Sequence, residues 1–489
     1  MAGRRSFKTD ESFLEKLAIG ATGTRAVIAD VQKQGFRPIE LERGSASWKI
    51  WKQIKIKRLR VPDVLLLDTA TRIEARAKTA LEISMSHSES DAARGWDRGL
   101  LDGDFVALTL CRKTGQRPID WQASPNVQYV KVSDMRRTWA QGSVFKERPK
   151  GAQEGFELRV TWPAAVSSAD GQVTEIAGER LKLKRAADGR TISLHLRRKD
   201  VKLSALVSIG DRVFENQIVA SVIPVITTLP SAKPADKTTY IRWLASRDVA
   251  TRYAGAKALA FFAADDVTDV LLRTQDDDQE HVYVRLEAAS SLARHGNPKG
   301  WQAIADSLDS QYLENQLETV IILGELKSQK ALKLLVAALL DPRRHAEIRA
   351  GAAWAIGEIG QSKGADALIR TFTDLTPGVR IEAVRALRKL MESCCPPVVP
   401  QLGVGQPDER AGLAWALSRS GRFTLDELIE VCRKDDEARR WVAYVLGTQD
   451  ADKWTVQLEP LRESDPEVFF AVTVLWQLLR SWIADVDEF

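Results

Sequence analysis

The sequence predicts a multidomain protein with a mixed α/β domain first, a small all-β module in the middle and an all-α superhelical solenoid last. Three observations lead to this prediction. A helical segment recurs about every 30 residues in the second half, short strand-like runs fill the middle, and a long helix and a hairpin open the chain. The expected ranges are 1–125 for the α/β domain, 126–155 for a connecting segment, 156–226 for the β module, 227–236 for a linker and 237–489 for the solenoid.

Length and composition limit the class of protein. With 489 residues the chain is too long for one ordinary core. Its four cysteines are scattered and lack metal-ligand spacing, so we expect neither a disulfide framework nor a structural zinc site. The amino terminus lacks the apolar stretch of a signal peptide, and no run of about 18 apolar residues occurs. We therefore expect a soluble, cytoplasmic protein with no membrane partner.

Charge is unevenly distributed along the chain. Residues 1–150 contain 28 Lys and Arg against 18 Asp and Glu, whereas residues 241–489 contain 30 against 38. This asymmetry favours a polyanion contact in the amino-terminal part. The alternative is unequal surface charge that is simply solvated.

The second half contains eight copies of one helical segment. Each copy is followed by a turn and a second apolar-periodic helix, and the key positions lie 29 to 33 residues apart. Small residues four positions later, such as Ala353 and Ala414, are expected to let neighbouring helices approach closely. The key residues are Arg252, Arg285, Gln316, Arg349, Arg380, Arg410, Arg439 and, in a degenerate last copy, Phe469.

These copies resemble the short HEAT repeats of α-solenoids, and the resemblance covers about half of the chain. No helix pair of this kind buries its apolar stripe alone, so consecutive pairs stack into one core. The resemblance implies a surface for a protein or nucleic-acid partner. The recurrent arginine is either a ladder for a ligand or a structural bond to a neighbouring turn or Asp, and we favour the structural role.

Residues 156–226 resemble the barrel-sandwich hybrid fold of lipoyl and biotinyl domains. The resemblance rests on the runs 168–176 and 207–220. Carriers of this fold receive their cofactor on a lysine at an exposed hairpin tip. Here Lys182 and Lys184 lie in a basic strand and Lys199 lies in another basic run, so we expect no lipoyl or biotin and a spacer or docking role.

The first 125 residues resemble the core of PD-(D/E)xK nucleases. The order of helix, hairpin and strand matches, and the signature residues are Pro62-Asp63 on one strand and Glu74-Ala75-Arg76 on the next. The resemblance implies that Asp63 and Glu74 are oxygen ligands of Mg²⁺, with Mn²⁺ as an alternative. A metal-bound site of this type hydrolyses phosphodiesters.

The spacing also predicts how the hairpin is paired. A tight turn at 68–71 places Leu65 opposite Glu74 and Asp63 opposite Arg76. Asp63 is then diagonal to Glu74 and to Lys78, on one face of the two strands.

One position departs from the family pattern. Arg76 stands where the family has a lysine, and a guanidinium does not deprotonate at useful pH. We therefore expect Arg76 to clamp phosphate and Lys78 to act on the attacking water. A second candidate motif is Glu82-Ile83-Ser84, and further ligands or neighbours of the site are Glu15, Glu40, Glu42, His87, Trp96 and Asp97.

A basic run leads into the proposed catalytic strand. It contains no acidic residue and suits phosphate contact and base stacking. The alternative is a solvated edge strand protected from aggregation by its lysines. The predicted nucleic-acid-binding residues are Trp48, Lys49, Trp51, Lys52, Lys55, Lys57, Arg58 and Arg60.

These patterns together predict a metal-dependent nuclease that carries a HEAT-repeat scaffold, with DNA favoured as substrate. The architecture resembles bacterial host-defence effectors, and the resemblance implies a role in antiviral defence. Two alternatives stay open: a catalytically inactive nucleic-acid-binding protein, and a scaffold that binds only proteins.

Overall fold

The computed structural model describes residues 10–46, 59–148, 157–230, 233–448 and 451–483. The described residues up to Ala288 form one compact unit, and those from Ala289 onward form a second. Each unit is described by itself below.

The first unit begins with an α/β part. A long helix precedes three antiparallel strands, as the apolar periodicity predicts. The elements are α1 (Asp10–Lys33), β1 (Pro38–Glu40), β2 (Val64–Leu66), β3 (Thr71–Lys78), β4 (Ile83–Ser88), β5 (Phe105–Lys113), β6 (Trp121–Ala123), β7 (Gln128–Lys131), α2 (Val132–Ala140) and β8 (Phe145–Glu147).

Six of these strands form a mixed sheet in the order β1-β2-β3-β5-β6, with β7 also paired to β5. Strands β3 and β5 are parallel, and the other pairs are antiparallel. Helix α1 covers one face, where Val27 and Val31 pack against Ile73. Gly23 permits this close approach, because a Cβ at that position would lie 2.7 Å from the Cβ of Ala77.

A β-rich part follows within the same unit. Its elements are β9 (Glu157–Trp162), β10 (Ala164–Val166), β11 (Gly171–Ala177), β12 (Arg180–Arg185), β13 (Thr191–His195), β14 (Arg197–Arg198), β15 (Val201–Lys202), β16 (Ser204–Ala205), β17 (Arg212–Val213) and β18 (Ile218–Ser221). Among the described residues they form the sheets β10-β18-β16 and β13-β12-β11-β17 around one apolar core, plus the ribbon β14-β15.

The β-rich part is not separated from the α/β part in the way that the predicted ranges suggest. Strand β9 pairs with β4 and with β8 in a three-stranded sheet. Trp162 at the end of β9 is fully buried, and its indole N–H donates to the carbonyl of Met135 in α2 at 3.1 Å. Since one core joins these strands, the sheet crosses the boundaries predicted at 125 and 156.

The segment predicted as a linker packs against the α/β part. Ile226, just before this segment, bridges to Tyr129, and Leu229 within it is buried beside α1. Further along, the amide of Ala235 donates to the carbonyl of Asp68 at 2.8 Å. The described residues of 227–236 therefore contact the sheet and do not behave as a free spacer.

The helical part begins at Lys237. Its helices are α3 (Lys237–Trp243), α4 (Val249–Leu259), α5 (Ala264–Asp276), α6 (Val282–Arg294), α7 (Pro298–Leu308), α8 (Leu313–Leu326), α9 (Gln329–Leu340), α10 (Ala346–Ile359), α11 (Ala365–Arg370), α12 (Pro377–Cys394), α13 (Pro407–Ser420), α14 (Leu425–Lys434), α15 (Ala438–Gly447), α16 (Ala451–Leu458), α17 (Leu461–Ser464) and α18 (Pro466–Ile483). Among the described helices, none is both long and apolar enough to cross a membrane.

The repeat pattern read from the sequence matches these helices. The eight key residues lie in α4, α6, α8, α10, α12, α13, α15 and α18, one in each. Ala353 and Ala414 are fully buried, in agreement with their expected role at close helix contacts. The regular succession of helix pairs confirms the predicted α-solenoid.

The recurrent arginine has a structural role in most repeats. Arg349 donates from Nε to the carbonyl of Leu339 at 2.9 Å and forms an ion pair with Asp374 of the next turn. Arg410 repeats the arrangement with the Gly405 carbonyl at 2.6 Å and with Asp435. Each such arginine therefore links two turns of the repeat, and we call this series the arginine ladder.

We predict that Asp374→Ala lowers the free energy of unfolding of the second unit by about 2 to 4 kcal/mol. The reason is that Arg349 stays largely buried and loses its carboxylate. Urea denaturation followed by circular dichroism measures the change. The matched control is Glu459→Ala, which breaks an exposed pair with Arg462 and is expected to cost less than about 1 kcal/mol. Equal losses in the two variants would contradict the ladder's role.

Candidate functional site

Asp63 and Glu74 lie closer in register than the sequence predicts. Leu65 pairs with Arg72 and Val64 with Ile73, so the predicted pairing of Leu65 with Glu74 is wrong by two residues. The reason is the turn, which spans 67–70 and includes Ala70 in the left-handed region at φ 55°. Continuing the register places Asp63 level with Glu74, where the prediction had Arg76.

Main-chain hydrogen bonds hold Asp63 in place. Its Oδ2 accepts from the amide of Ala75 in β3 at 2.7 Å, and its carbonyl accepts from the amide of Leu41 at 2.7 Å. The residue is only 8% exposed. The Asp63 carboxylate is therefore fixed and largely desolvated at the start of β2.

Glu74 faces its own cation on the same strand. Its Oε1 lies 2.6 Å from Nη2 of Arg76, and the Glu74 side chain is 16% exposed against 42% for Arg76. The Arg76 guanidinium thus covers one side of the carboxylate. This contact makes Arg76 a partner of Glu74, and its predicted contact with phosphate stays a prediction.

Burial raises the pKa of Asp63 well above its ordinary value, and the charges of Glu74 and Glu42 raise it further. The pKa of Glu74 is also raised by burial, although Arg76 and Arg60 oppose the shift. Glu42 therefore belongs to this electrostatic group. We call Glu42, Asp63 and Glu74, with the cations Arg60 and Arg76, the acidic site.

Strand β3 puts four charged side chains on one face because side chains alternate with period two. Besides Glu74 and Arg76, these are Arg72 and Lys78. Arg72 is fully buried, and its Nε and Nη2 donate to the two oxygens of Asp104 at 3.0 and 2.6 Å. The sequence analysis missed this pair, since 32 residues separate its members and only the alternation in β3 pointed to an inward Arg72.

Lys78 is not brought to the acidic site. Its Nζ donates to the carbonyl and to the Oγ of Ser84, both at 2.8 Å, and lies 4.0 Å from Glu82. Burial lowers the pKa of Lys78 to about 8, with the charges of Arg76 and Arg159 acting in the same direction and that of Glu82 against them. The predicted action of Lys78 on water beside Asp63 and Glu74 is therefore unsupported by its contacts.

The second candidate motif forms part of this separate group. Ser84 Oγ donates to Glu82 at 2.7 Å, and Glu82 forms an ion pair with Arg159 of β9. These bonds satisfy the polar atoms of Glu82 within the β4–β9 sheet. Glu82-Ile83-Ser84 is accordingly a structural element in the described residues.

Several other residues considered from sequence have structural partners. Glu15 pairs with Lys113, and Glu40 accepts from Ser45 and from the Ala46 amide. Two more fix a loop: the ring of His87 accepts from the Trp96 amide at 3.3 Å and packs on Trp139, and Asp97 pairs with Arg136 at 2.8 Å. These contacts give the four side chains structural partners within the described residues.

Most of the predicted nucleic-acid-binding run lies outside the described residues, namely Trp48, Lys49, Trp51, Lys52, Lys55, Lys57 and Arg58. Arg60 is described. Its Nη1 donates to the carbonyl of Gly95 at 3.2 Å, and its charge acts on Glu74. The basic run thus ends at the acidic site.

The donor set of the acidic site fits a hard divalent cation. Within the part of the chain that the structure describes, no group of three or more His, Cys, Asp or Glu side chains is arranged to hold a metal by itself. Mg²⁺ does not need such a cage, since it is commonly bound through one or two carboxylates together with water and substrate phosphate. Asp63 and Glu74 supply carboxylates of this type.

Comparison with known proteins identifies the solenoid. The family model of HEAT repeats matches residues 303–388. No curated protein sequence matches the chain. The region from α7 to α12 therefore carries HEAT repeats, as its resemblance predicts, and the α/β and β-rich parts gain no family from these comparisons.

Similar solved structures include repeat proteins and enzymes, and each has a low sequence identity and a low TM-score to this chain. Human deoxyhypusine hydroxylase with glycerol is 18% identical, with 45% of this chain and 97% of that chain covered and a TM-score of 0.24. The complex of CpcE and CpcF of phycocyanin lyase from Nostoc is 19% identical, with 52% of this chain and 99% of that chain covered and a TM-score of 0.26. A designed armadillo repeat protein in complex with the peptide (KR)4 is 16% identical, with 50% of this chain and 100% of that chain covered and a TM-score of 0.19. Likenesses this low carry no information about function.

We predict that Asp63→Asn becomes more stable relative to the native protein as the pH rises from about 5 to 8 in EDTA. Since the folded pKa values of Asp63 and Glu74 are raised, their stabilising contribution is full below the unfolded values near about 4 and is lost as the pH rises through the folded values. Asparagine keeps an acceptor for Ala75 without the charge. Thermal unfolding across this range tests the prediction. The control is Glu175→Gln, at an exposed ion pair with Lys182. An identical pH profile for native protein and Asp63→Asn would contradict it.

Proposed function

We propose that the acidic site hydrolyses phosphodiester bonds of nucleic acid with a divalent cation, and that the HEAT-repeat part is a scaffold for docking. The observation that carries the proposal is the register that sets Asp63 level with Glu74, both with a raised pKa. Two desolvated carboxylates on directly opposite residues of paired strands repel each other, and a cation relieves that repulsion. Perturbed carboxylates of this kind concentrate at functional sites.

The topology of the sheet supports the same proposal. The chain passes from α1 through the antiparallel strands β1, β2 and β3 to the parallel strand β5. The proposed ligands come from the start of β2 and the middle of β3, which are the positions expected from the resemblance to PD-(D/E)xK nucleases. This agreement is one of topology and motif, and it supports the nuclease type by analogy.

Each residue of the site has a proposed task. Asp63 and Glu74 would hold Mg²⁺ or Mn²⁺, which polarises a phosphoryl oxygen and lowers the pKa of a bound water. Asp63 is preorganised by the Ala75 amide. Arg76, 42% exposed, is the cation best placed to move from Glu74 to a substrate phosphate, and the charge of Arg60 also acts on Glu74.

The absence of the family's lysine shapes the mechanism. Arg76 does not act as a general base, and Lys78 is held by Ser84. Glu42, coupled to both carboxylates, is the remaining group of the acidic site able to accept a proton from water. We therefore assign Glu42, in place of Lys78, as the candidate base.

We predict that the purified protein cleaves plasmid DNA, single-stranded DNA or RNA in Mg²⁺ or Mn²⁺ and not in EDTA. Asp63→Asn and Glu74→Gln each remove a proposed ligand charge with little change in shape. Each is expected to lower the cleavage rate by about a hundredfold or more. Gel electrophoresis of the products measures the rate.

The matched control for this assay is Glu82→Gln, a neighbouring carboxylate that pairs with Arg159. It is expected to keep most of the activity. A folded protein that binds DNA without cleaving it would support the inactive alternative, and cleavage that survives Asp63→Asn would exclude the acidic site as the source.

We predict that the triple variant Lys52→Ala, Lys55→Ala and Lys57→Ala weakens DNA binding and flattens its salt dependence. If each lysine contacts one phosphate, the slope of log K against log salt falls by about 0.9 for each lysine removed. Fluorescence anisotropy over a salt series measures the slope. The control changes Lys182, Lys184 and Lys202 of the β-rich part to Ala, and an equal loss of slope in that variant would contradict a specific role for the basic run.

A second function, docking of a protein partner, is favoured by the HEAT-repeat match over residues 303–388. Repeats of this kind create extended surfaces for partners. In this role the solenoid brings the amino-terminal site to a target or holds it near a partner. The two roles are compatible, because they use different parts of the chain.

A further inference from the structure

In the described part of the solenoid, the arginine ladder lacks an acidic partner at Arg380. Arg349 and Arg410 each reach an Asp 25 residues further along, and each also donates to a main-chain carbonyl of the preceding turn. The residue at the same offset from Arg380 is Gly405. The amide of Arg380 donates to the carbonyl of Thr376 at 3.2 Å, but within the described residues its side chain makes no hydrogen bond or ion pair.

An acidic residue 28 positions after Arg380 does not supply the missing partner either. Arg439 pairs with Glu467, 28 residues further along, at the start of the next repeat helix. The equivalent residue for Arg380 is Asp408. Within the described residues Asp408 makes no ion pair with Arg380, and its side chain is one methylene shorter than that of Glu467. Arg380 is thus a partly exposed cation without a countercharge.

Large apolar side chains are exposed on the turns and helix around this step. Leu375, in the turn before α12, is 94% exposed, and Ile381 beside Arg380 is 50% exposed. Val404, in the turn that follows α12 in the repeat series, is 80% exposed. Leu375 and Ile381 lie within five residues of Arg380 along the chain, and exposed aliphatic residues that group together are typical of interaction sites.

The surrounding charges favour a peptide over a nucleic acid. The other three cations of α12 are paired: Arg385 with Glu382, Arg388 with Glu392 and Lys389 with Glu358. The solenoid as a whole has more acidic than basic residues. A polyanion needs several free cations, whereas a single carboxylate needs only one.

We infer that Arg380, with Leu375, Ile381 and Val404, binds an extended peptide segment of a partner protein that carries an Asp or Glu beside aliphatic residues. The partner's carboxylate takes the place of the missing ladder acid and accepts two hydrogen bonds from the guanidinium. The aliphatic neighbours cover the exposed apolar side chains. This inference rests on the docking role of the solenoid and is independent of phosphodiester hydrolysis.

The test begins with selection from a phage-displayed library of random peptides on the full chain. Enriched peptides are expected to share an Asp or Glu flanked by Leu, Ile or Val. The best peptide is then synthesised with a fluorophore and titrated by anisotropy. Arg380→Gln is expected to weaken its binding by about tenfold to a hundredfold, as is changing the peptide's acid to its amide.

An internal competitor makes the test sharper. Val404→Asp puts a carboxylate six residues before the next ladder arginine, the offset that Asp374 has from Arg380. It is expected to occupy Arg380 and to block the peptide, whereas the matched control Val404→Asn is expected to lose only the apolar contact. A second control, Arg343→Gln, removes an exposed arginine paired with Asp341 and is expected to change nothing.

Three outcomes would overturn the inference. They are enrichment of peptides without a shared carboxylate, equal binding to native protein and Arg380→Gln, and no enrichment at all. Peptides that bind equally well to Arg380→Gln would leave the docking role intact at another surface. The nuclease assay is unaffected by any of these results, so the two proposals fail separately.

Discussion

In the described part of the first unit, strand β3 carries four charged side chains on one face, and the stability of this part depends on the partners that compensate their charges. Arg72 pairs with Asp104 and Glu74 pairs with Arg76, whereas Lys78 donates to Ser84 and lies 4.0 Å from Glu82. Buried charge without such partners costs several kcal/mol. Asp63, which lies level with Glu74 on the neighbouring strand, has a pKa raised by burial and by the charges of Glu74 and Glu42. The cation proposal follows from this single imbalance.

The same rule of pairing governs the repeat part. The ladder arginines link consecutive turns because the desolvated guanidinium needs both a carbonyl and a carboxylate. In a repeat protein one missing partner does not unfold the array, since each repeat contacts mainly its neighbours. An incomplete step such as that at Arg380 is therefore tolerated by the fold and available for binding.

Much of the fold was predictable from local pattern. The helix from Asp10 to Lys33, the strands around Asp63 and Glu74 and the repeat helices all follow from apolar periodicity. The hairpin register was not predictable, because a positive φ at Ala70 lengthens the turn without a glycine signal. Nor was the Arg72–Asp104 pair, which depends on the parallel pairing of β3 with β5. Lys78 was misplaced because its partner Ser84 lies in a different sheet.

The central claim is that Asp63 and Glu74 jointly bind a divalent cation, and calorimetric titration with Mn²⁺ tests it most directly. The native protein, Asp63→Asn, Glu74→Gln and Glu82→Gln are titrated side by side in metal-free buffer. The account predicts one saturable site in the native protein and in Glu82→Gln, with binding lost or weakened by about tenfold or more in the other two. Absence of a site in the native protein, or an unchanged site in Asp63→Asn, would contradict it.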